Sequence, residues 1–176
     1  KVVTTGDAYQ PLFDKFTEEV GPKVEVISMS SGEVLSKLKA EGGTPAADLW
    51  FGGGIDAFMD AKDNNLLEKV DFDAADELSP DFKDSDNYWF SKGVTVVGFI
   101  VNNDILKEKG LEAPKTWDDL TKEEYQGEVL MSNPAISGTN YAAVHALLTT
   151  KGQDEGRKYF EALNQNVASY SKRGSD

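Results

Sequence analysis

The stretch Ala47–Phe58, ADLWFGGGIDAF, runs from an apolar, strand-like pentapeptide into three glycines and then into a helical apolar pattern. Three bare residues in a row either make a tight turn or leave backbone N–H groups open to something that approaches them. Four other segments share this small, hydroxyl-rich or glycine-rich composition: Thr4–Tyr9 (TTGDAY), Ser28–Glu33 (SMSSGE), Asn133–Asn140 (NPAISGTN) and Ser171–Asp176 (SKRGSD). Each is predicted to lie at the carboxyl end of a strand, the edge of an open α/β sheet where ligands bind. Helix N-termini at that edge carry unpaired N–H groups and partial positive charge, which suits an anion. The candidate ligand-binding residues are Thr5, Asp7 and Tyr9 in the first loop, Ser30 and Ser31 in the second, and Gly53 and Gly54 in the third. Ser137, Gly138 and Thr139 follow in the fourth, and Arg173 and Ser175 in the last. Arg173 is the one strongly basic residue among them and can pair bidentately with phosphate or carboxylate. Any single loop reads equally as a helix cap or a turn. Five at the same edge ask for more than capping, because caps alone do not require Gly-Gly-Gly or Ser-Gly-Thr.

Other chemistries lack their residues. GGTPAAD and FGGGID have no Gly-Lys-Ser/Thr ending, and no segment matches G-x-G-x-x-G, so neither phosphate-loop nor dinucleotide patterns are present. G-x-S-x-G is absent as well, which removes the nucleophile elbow. The chain has no cysteine and a single histidine, so a metal site of His and Cys at ligand spacing is excluded. His145 falls beside an apolar stripe and is expected to be packed or capping. Carboxylates are plentiful, but no spacing singles out an acid–base pair; Asp7 and Asp56 are expected to be helix N-terminal caps. No catalytic residue, metal or cofactor is therefore predicted. Lysine and arginine total 18 against 31 acidic residues, a formal charge of −13 that repels nucleic acid and anionic membranes.

The elements that would position these loops follow from periodicity. KVVTT, KVEVISM and ADLWF read as strands. They alternate with helices whose apolar stripes are Leu12, Phe13, Phe16 and Val20, then Val34, Leu35 and Leu38, then Ile55, Phe58 and Met59. Ser30 with Glu33 has capping-box spacing, Gly42–Gly43 closes the second helix, and Pro22 ends the first. This β-α-β-α-β-α order predicts an α/β fold with a doubly wound, mainly parallel sheet. Asp71–Asn87 is acidic and broken by Pro80, hence a surface excursion. GVTVVGFIVNN is the longest apolar run and reads as a long strand, with Gly98 marking a bend. Thr116 and Asp119 repeat capping-box spacing. EVLMSNP is a further strand, followed by a helix carrying Tyr141, Val144, Leu147 and Leu148, a second helix with Tyr159, Phe160 and Leu163, and the strand NVASYS.

The blocks SGEVLSKLKAEGGTPAADLWFGGGIDAFMDAKDNNLLE, GVTVVGFIVNND, APKTWDDLTKEEYQGEVLMSNPAISGTNY and NVASYSKRGS, in this order and spacing, resemble the periplasmic solute-binding proteins of ABC transporters. The match is to the ferric-iron, phosphonate and organophosphate group of type II binding proteins. The resemblance implies the two-lobe periplasmic-binding-protein fold, lacking here its C-terminal part. Residues 1–93 would form lobe 1, 94–103 a hinge crossing strand, and 104–176 an incomplete lobe 2. It further implies an extracytoplasmic receptor, periplasmic or lipoprotein-anchored, that closes on a small anionic ligand and delivers it to an ABC transporter permease. The chain would pair with the missing C-terminal portion or with a second copy of itself. Iron-binding relatives place a histidine in the first loop and a glutamate in the third, where this chain has Ala8 and Gly53. A ferric ion needs oxygen ligands that these two positions do not supply, so the resemblance points to an anion held by backbone and hydroxyl groups. An α/β enzyme acting on a phosphorylated small molecule, and a ferric-ion binding protein, are the alternative readings.

Overall fold

The structure is a computed structural model and describes residues 1–4 and 7–176, the side chain of Asp7 excepted. The candidate Thr5 thus lies outside the described residues, as does the side chain of Asp7. The chain divides into two compact units, Lys1–Thr95 and Val96–Asp176.

The first unit is built on a parallel sheet of order β2-β1-β3, from β1 (Val2–Thr4), β2 (Val26–Ser28) and β3 (Leu49–Phe51). Three helices alternate with these strands: α1 (Gln10–Val20), α2 (Ser31–Glu41) and α3 (Ile55–Asp63). Val3 on the central strand and Val34 and Leu38 on α2 form the core, with Ile27, Met29, Trp50 and Leu66 packed around them. The end signals of α2 work as the sequence predicts. Ser30 and Glu33 close a reciprocal capping box, and Gly42 at the C-cap adopts φ +58°, a left-handed angle that a glycine takes without strain. Helix α1 ends at Gly21, one residue before Pro22, and the Gly21 N–H bonds back to Thr17.

Two expectations for this unit are corrected. Of the predicted stripe on α1, only Phe13 is buried; Leu12, Phe16 and Val20 are exposed. Phe13 alone reaches the sheet, where it meets the Phe51 ring edge-on at 5.4 Å. The N-cap positions of α1 and α3 are held by Tyr9 and Gly54, and the Asp7 side chain lies outside the described residues. Asp56 sits in the first turn of α3, where its charge favours the helix end. The acidic excursion folds into short 3-10 turns at Asp73–Glu77 and Pro80–Phe82. It is tied back to α3 by Lys62, whose Nζ lies 2.7 Å from Asp84 and 2.8 Å from Asp86.

The second unit pairs β4 (Val129–Ser132) with β5 (Val167–Ser171), again in parallel. The crossover between them holds α5 (Gly138–Lys151) and α6 (Gln153–Asn166). Leu120, Leu147, Tyr159 and Leu163 form its core with Trp117, Val129 and Met131. The Tyr159 hydroxyl donates to the Trp117 carbonyl at 2.8 Å, and burial pushes its phenol up to about 12. Gly156 packs against Leu148, where an added Cβ would stand 2.7 Å from Leu148 Cδ2. The Thr116–Asp119 spacing closes as a capping pair, on a 3-10 turn at Asp118–Thr121. A short helix, α4 (Asn103–Lys109), is capped by Asn102.

The run GVTVVGFIVNN does not form the predicted strand. Residues 94–102 join no ladder among the described residues, and Val94, Val96 and Ile100 are exposed. A strand exists only where a neighbour takes its N–H and C=O groups, and neither sheet extends to this segment. His145 is likewise exposed on α5, not packed.

The Lys62–Asp84 pair generates a pH-dependent prediction. Burial pushes the Asp84 carboxyl up, but the bond from Lys62 and the N–H groups of Tyr88 and Asp86 outweigh it and hold the group below its ordinary value. A carboxylate lowered on folding stabilises above its unfolded pKa of about 3.9 and loses that contribution as pH falls through the folded value. Asp84→Asn is expected to lower the melting temperature at pH 7 by about 5 °C. The gap between variant and parent should shrink below about pH 4; circular dichroism melts across pH 3–8 measure both.

Candidate functional site

Parallel pairing sends the carboxyl ends of β1, β2 and β3 to one edge, so the segments after Thr4, Ser28 and Phe51 gather there. The chain leaves the central strand β1 toward β2 on one side and returns to β3 on the other. The topological switch point therefore falls between β1 and β3, where open α/β sheets form a ligand crevice. Tyr9 and Phe51 stand at this point with their rings edge-on, 5.0 Å apart. Lys92 comes in from beyond the acidic excursion and donates from Nζ to the Tyr9 hydroxyl. Its ammonium lies 4.0 Å from the Tyr9 ring centre and 5.5 Å from that of Phe51.

The loops after β2 and β3 touch. Ser30 and Ser31 are both buried at the start of α2. The Ser30 N–H and hydroxyl each donate to a Glu33 carboxylate oxygen at 2.9 Å, so Ser30 is engaged in its own cap. Ser31 is the serine that faces the glycine run. A Cβ placed on Gly53 would stand 2.8 Å from Ser31 Oγ, and Gly53 adopts φ +133°, which disfavours any other residue. Gly54 caps α3, its carbonyl accepting from Ala57 N–H at 3.2 Å.

In the second unit the predicted residues come together in the same way. Ser132 and Ser171 end the parallel strands β4 and β5, and Asn133 N–H donates to the Ser171 carbonyl at 2.8 Å. Ser137 caps α5 and is buried, with Gly138 and Thr139 in the first helical turn. Asn140 in that turn donates to the Ser132 carbonyl, which pins the start of α5 to the end of β4. Gly174 lies against Thr139, an added Cβ standing 3.3 Å from the threonine Cβ. Ser171 Oγ donates to the Arg173 carbonyl at 2.8 Å, and Arg173 N–H donates to Asp176 at 2.8 Å, which curls the last segment over α5. Ser175 is exposed on that curl.

The five loops predicted to share one edge thus divide between two sheets, three on the first and two on the second. The sequence pattern shows that each loop follows a strand but not which sheet the strand joins. Lys92 and Phe51 escape a sequence reading of the site. Phe51 reads as the last strand residue, and Lys92 as a lone surface lysine in FSKGV, 83 positions from the Tyr9 ring it covers. The only local signal is a cation beside a glycine directly after an acidic excursion. Among the described residues no group of three His, Cys, Asp or Glu side chains gathers to hold a metal ion. A polar cavity of about 440 Å³ in the second unit, near Glu112, Asp119, Lys122 and Tyr125, contains none of the predicted residues.

The resulting architecture is the α/β fold of type II periplasmic binding proteins. The chain belongs to the bacterial extracellular solute-binding protein family, whose model matches residues 45–175. A Haemophilus influenzae protein of unstated function is 33% identical over 164 residues, 90% of this chain and 47% of that one. The phosphoglycerate transport regulatory protein PgtC of Salmonella typhimurium is 36% identical over 85 residues, 47% of this chain and 21% of that one. The periplasmic binding protein AfuA of Actinobacillus pleuropneumoniae, solved with exogenous fructose-6-phosphate bound, superposes with a TM-score of 0.92 at 30% identity. That superposition covers 98% of this chain and 56% of AfuA. The chain spans about half the length of the relatives it matches along most of its own length.

The contact between the second and third loops predicts the cost of a side chain at Gly53. Gly53→Ala should destabilise the chain by about 1–3 kcal/mol in urea unfolding, since it combines a left-sided φ with a close approach. Ser31→Ala added to it should restore only part of the loss, because the backbone strain remains when the hydroxyl is gone.

Proposed function

We propose that the protein is the extracytoplasmic solute-binding receptor of an ABC importer and that its ligand is a small organic phosphate or phosphonate. The observation that carries the reading is the meeting of strand ends, helix N-termini and glycines in both sheets, with hydroxyl groups and no acid–base pair. The starts of α2, α3 and α5 present backbone N–H groups toward the strand ends, where phosphate oxygens would accept from them, and helix dipoles there favour negative charge. Gly53 leaves backbone uncovered where a side chain would stand between ligand and N–H groups. The fructose-6-phosphate in AfuA and the phosphoglycerate in the name of PgtC belong to the same chemical class, a phosphate ester on a small polar body.

The mechanism is capture by closure. Contacts to loops of both lobes would favour the closed state, and the permease would receive the closed receptor. In this reading residues 94–103 would serve as the hinge crossing. The chemistry asked of the residues is binding alone: donors that satisfy phosphate oxygens, and walls that exclude water.

Isothermal titration of the full-length protein tests the reading. Fructose 6-phosphate and 2-aminoethylphosphonate are the anionic probes, with ferric citrate and neutral fructose for contrast. Binding of a phosphorylated or phosphonated probe at least ~100-fold tighter than fructose, about 2.7 kcal/mol, is expected. Tight binding of iron alone with no response to either anion would overturn it.

A further inference from the structure

A receptor for a phosphate ester must bring a dianion up to a chain whose formal charge is −13. Helix N-termini supply partial charges only, about half an elementary charge each, and their effect fades within a turn. A full positive charge at the binding edge would change that balance, and the first unit holds one. Lys92 projects to the switch point between β1 and β3, where its Nζ donates to the Tyr9 hydroxyl and lies over the rings of Tyr9 and Phe51. The rings are themselves fixed: Phe51 ends β3 and is held edge-on between Tyr9 at 5.0 Å and the buried Phe13 at 5.4 Å.

We propose that Lys92 is the residue that selects a phosphate dianion over a neutral solute, its ammonium held at the strand-end edge by Tyr9 and Phe51. This inference rests on the binding reading above and deepens it. Among the described residues no carboxylate lies within ion-pair distance of Lys92, whereas Lys62, Lys109, Lys122 and Lys151 each carry one. Its partners among the described residues are a hydroxyl and two ring faces, which orient the ammonium without neutralising its charge. Because the side chain is exposed, Nζ keeps donor capacity for phosphate oxygens. Tyr9 then has two roles: its ring carries the cation, and its hydroxyl stands beside the same oxygens. Lysine is a point charge on a flexible stem, suited to follow a phosphate through closure.

The test uses the full-length protein, with fructose 6-phosphate, inorganic phosphate and fructose as probes in calorimetric titration. Lys92→Met keeps the aliphatic stem and removes the charge; Lys92→Arg keeps the charge; Tyr9→Phe removes the hydroxyl that positions it. Lys92→Met is expected to weaken fructose 6-phosphate binding by about 10–100-fold and to flatten its dependence on salt, since a charge pair at the surface is screened. Lys92→Arg should stay within a few-fold of the parent, and Tyr9→Phe should fall between the two. Thermal melts of each variant, expected within about 2–3 °C of the parent at the exposed Lys92 and for the loss of one hydroxyl at the half-buried Tyr9, separate lost binding from lost folding. If the parent binds fructose 6-phosphate and Lys92→Met binds it within twofold, with the same salt dependence, this inference fails and the binding reading stands. If the parent binds neither fructose 6-phosphate nor phosphate, the binding reading fails and takes this inference with it.

Discussion

Parallel pairing of short strands is the constraint on which the rest of the molecule depends. A parallel pair needs a crossover, so each strand must be followed by a helix before its neighbour can be laid down. That rule sends every strand's carboxyl end, and every following helix N-terminus, to the same side of its sheet. The strands are three to five residues long. The central strand β1 is buried on both faces, through Val2, Val3 and Thr4, and Val3 meets Val34 and Leu38. The edge that can bind a ligand is thus a by-product of the same pairing that makes the core.

Charge decides what that edge can hold. The excess of acid is spread over solvated helix faces and the excursion around Asp71–Asn87, where much of it is answered locally by lysines such as Lys62 and Lys83. The strand-end edge differs in kind. Glu33 and Asp56 stand in its first helical turns, Glu33 engaged by Ser30, and its other polar groups are hydroxyls, glycine backbone and helix starts, with Lys92 above two aromatic rings. Under the proposed reading an anion arriving there would meet these donors, while carboxylates farther than about 8 Å are screened in physiological salt.

Much of this was legible in the residues themselves, because local signals act over three or four positions. The capping box at Ser30–Glu33, the stop at Gly42 and the glycines opening α3 all stand where their spacing places them. What was not legible depends on partners far along the chain. The apolar run at 94–102 has the composition of a buried strand, yet no neighbour pairs with it. Leu12, Phe16 and Val20 keep helical spacing, but only Phe13 finds the sheet. The division of five similar loops between two sheets, and the arrival of Lys92 over Tyr9, are tertiary events that no window of sequence contains. His145, for which an apolar neighbourhood predicts a packed or capping role, is exposed because the buried stripe of α5 runs through Asn140, Ala143 and Leu147.

The central proposal is that the carboxyl-end loops of each parallel sheet bind the phosphate ligand. Backbone amide chemical-shift mapping of the full-length protein, titrated with fructose 6-phosphate, tests it most directly. The account predicts the largest shifts at the N–H groups of Ser31, Gly53, Gly54, Gly138 and Thr139. Shifts concentrated instead around the cavity near Glu112, Asp119 and Tyr125, with those five amides unmoved, would contradict it.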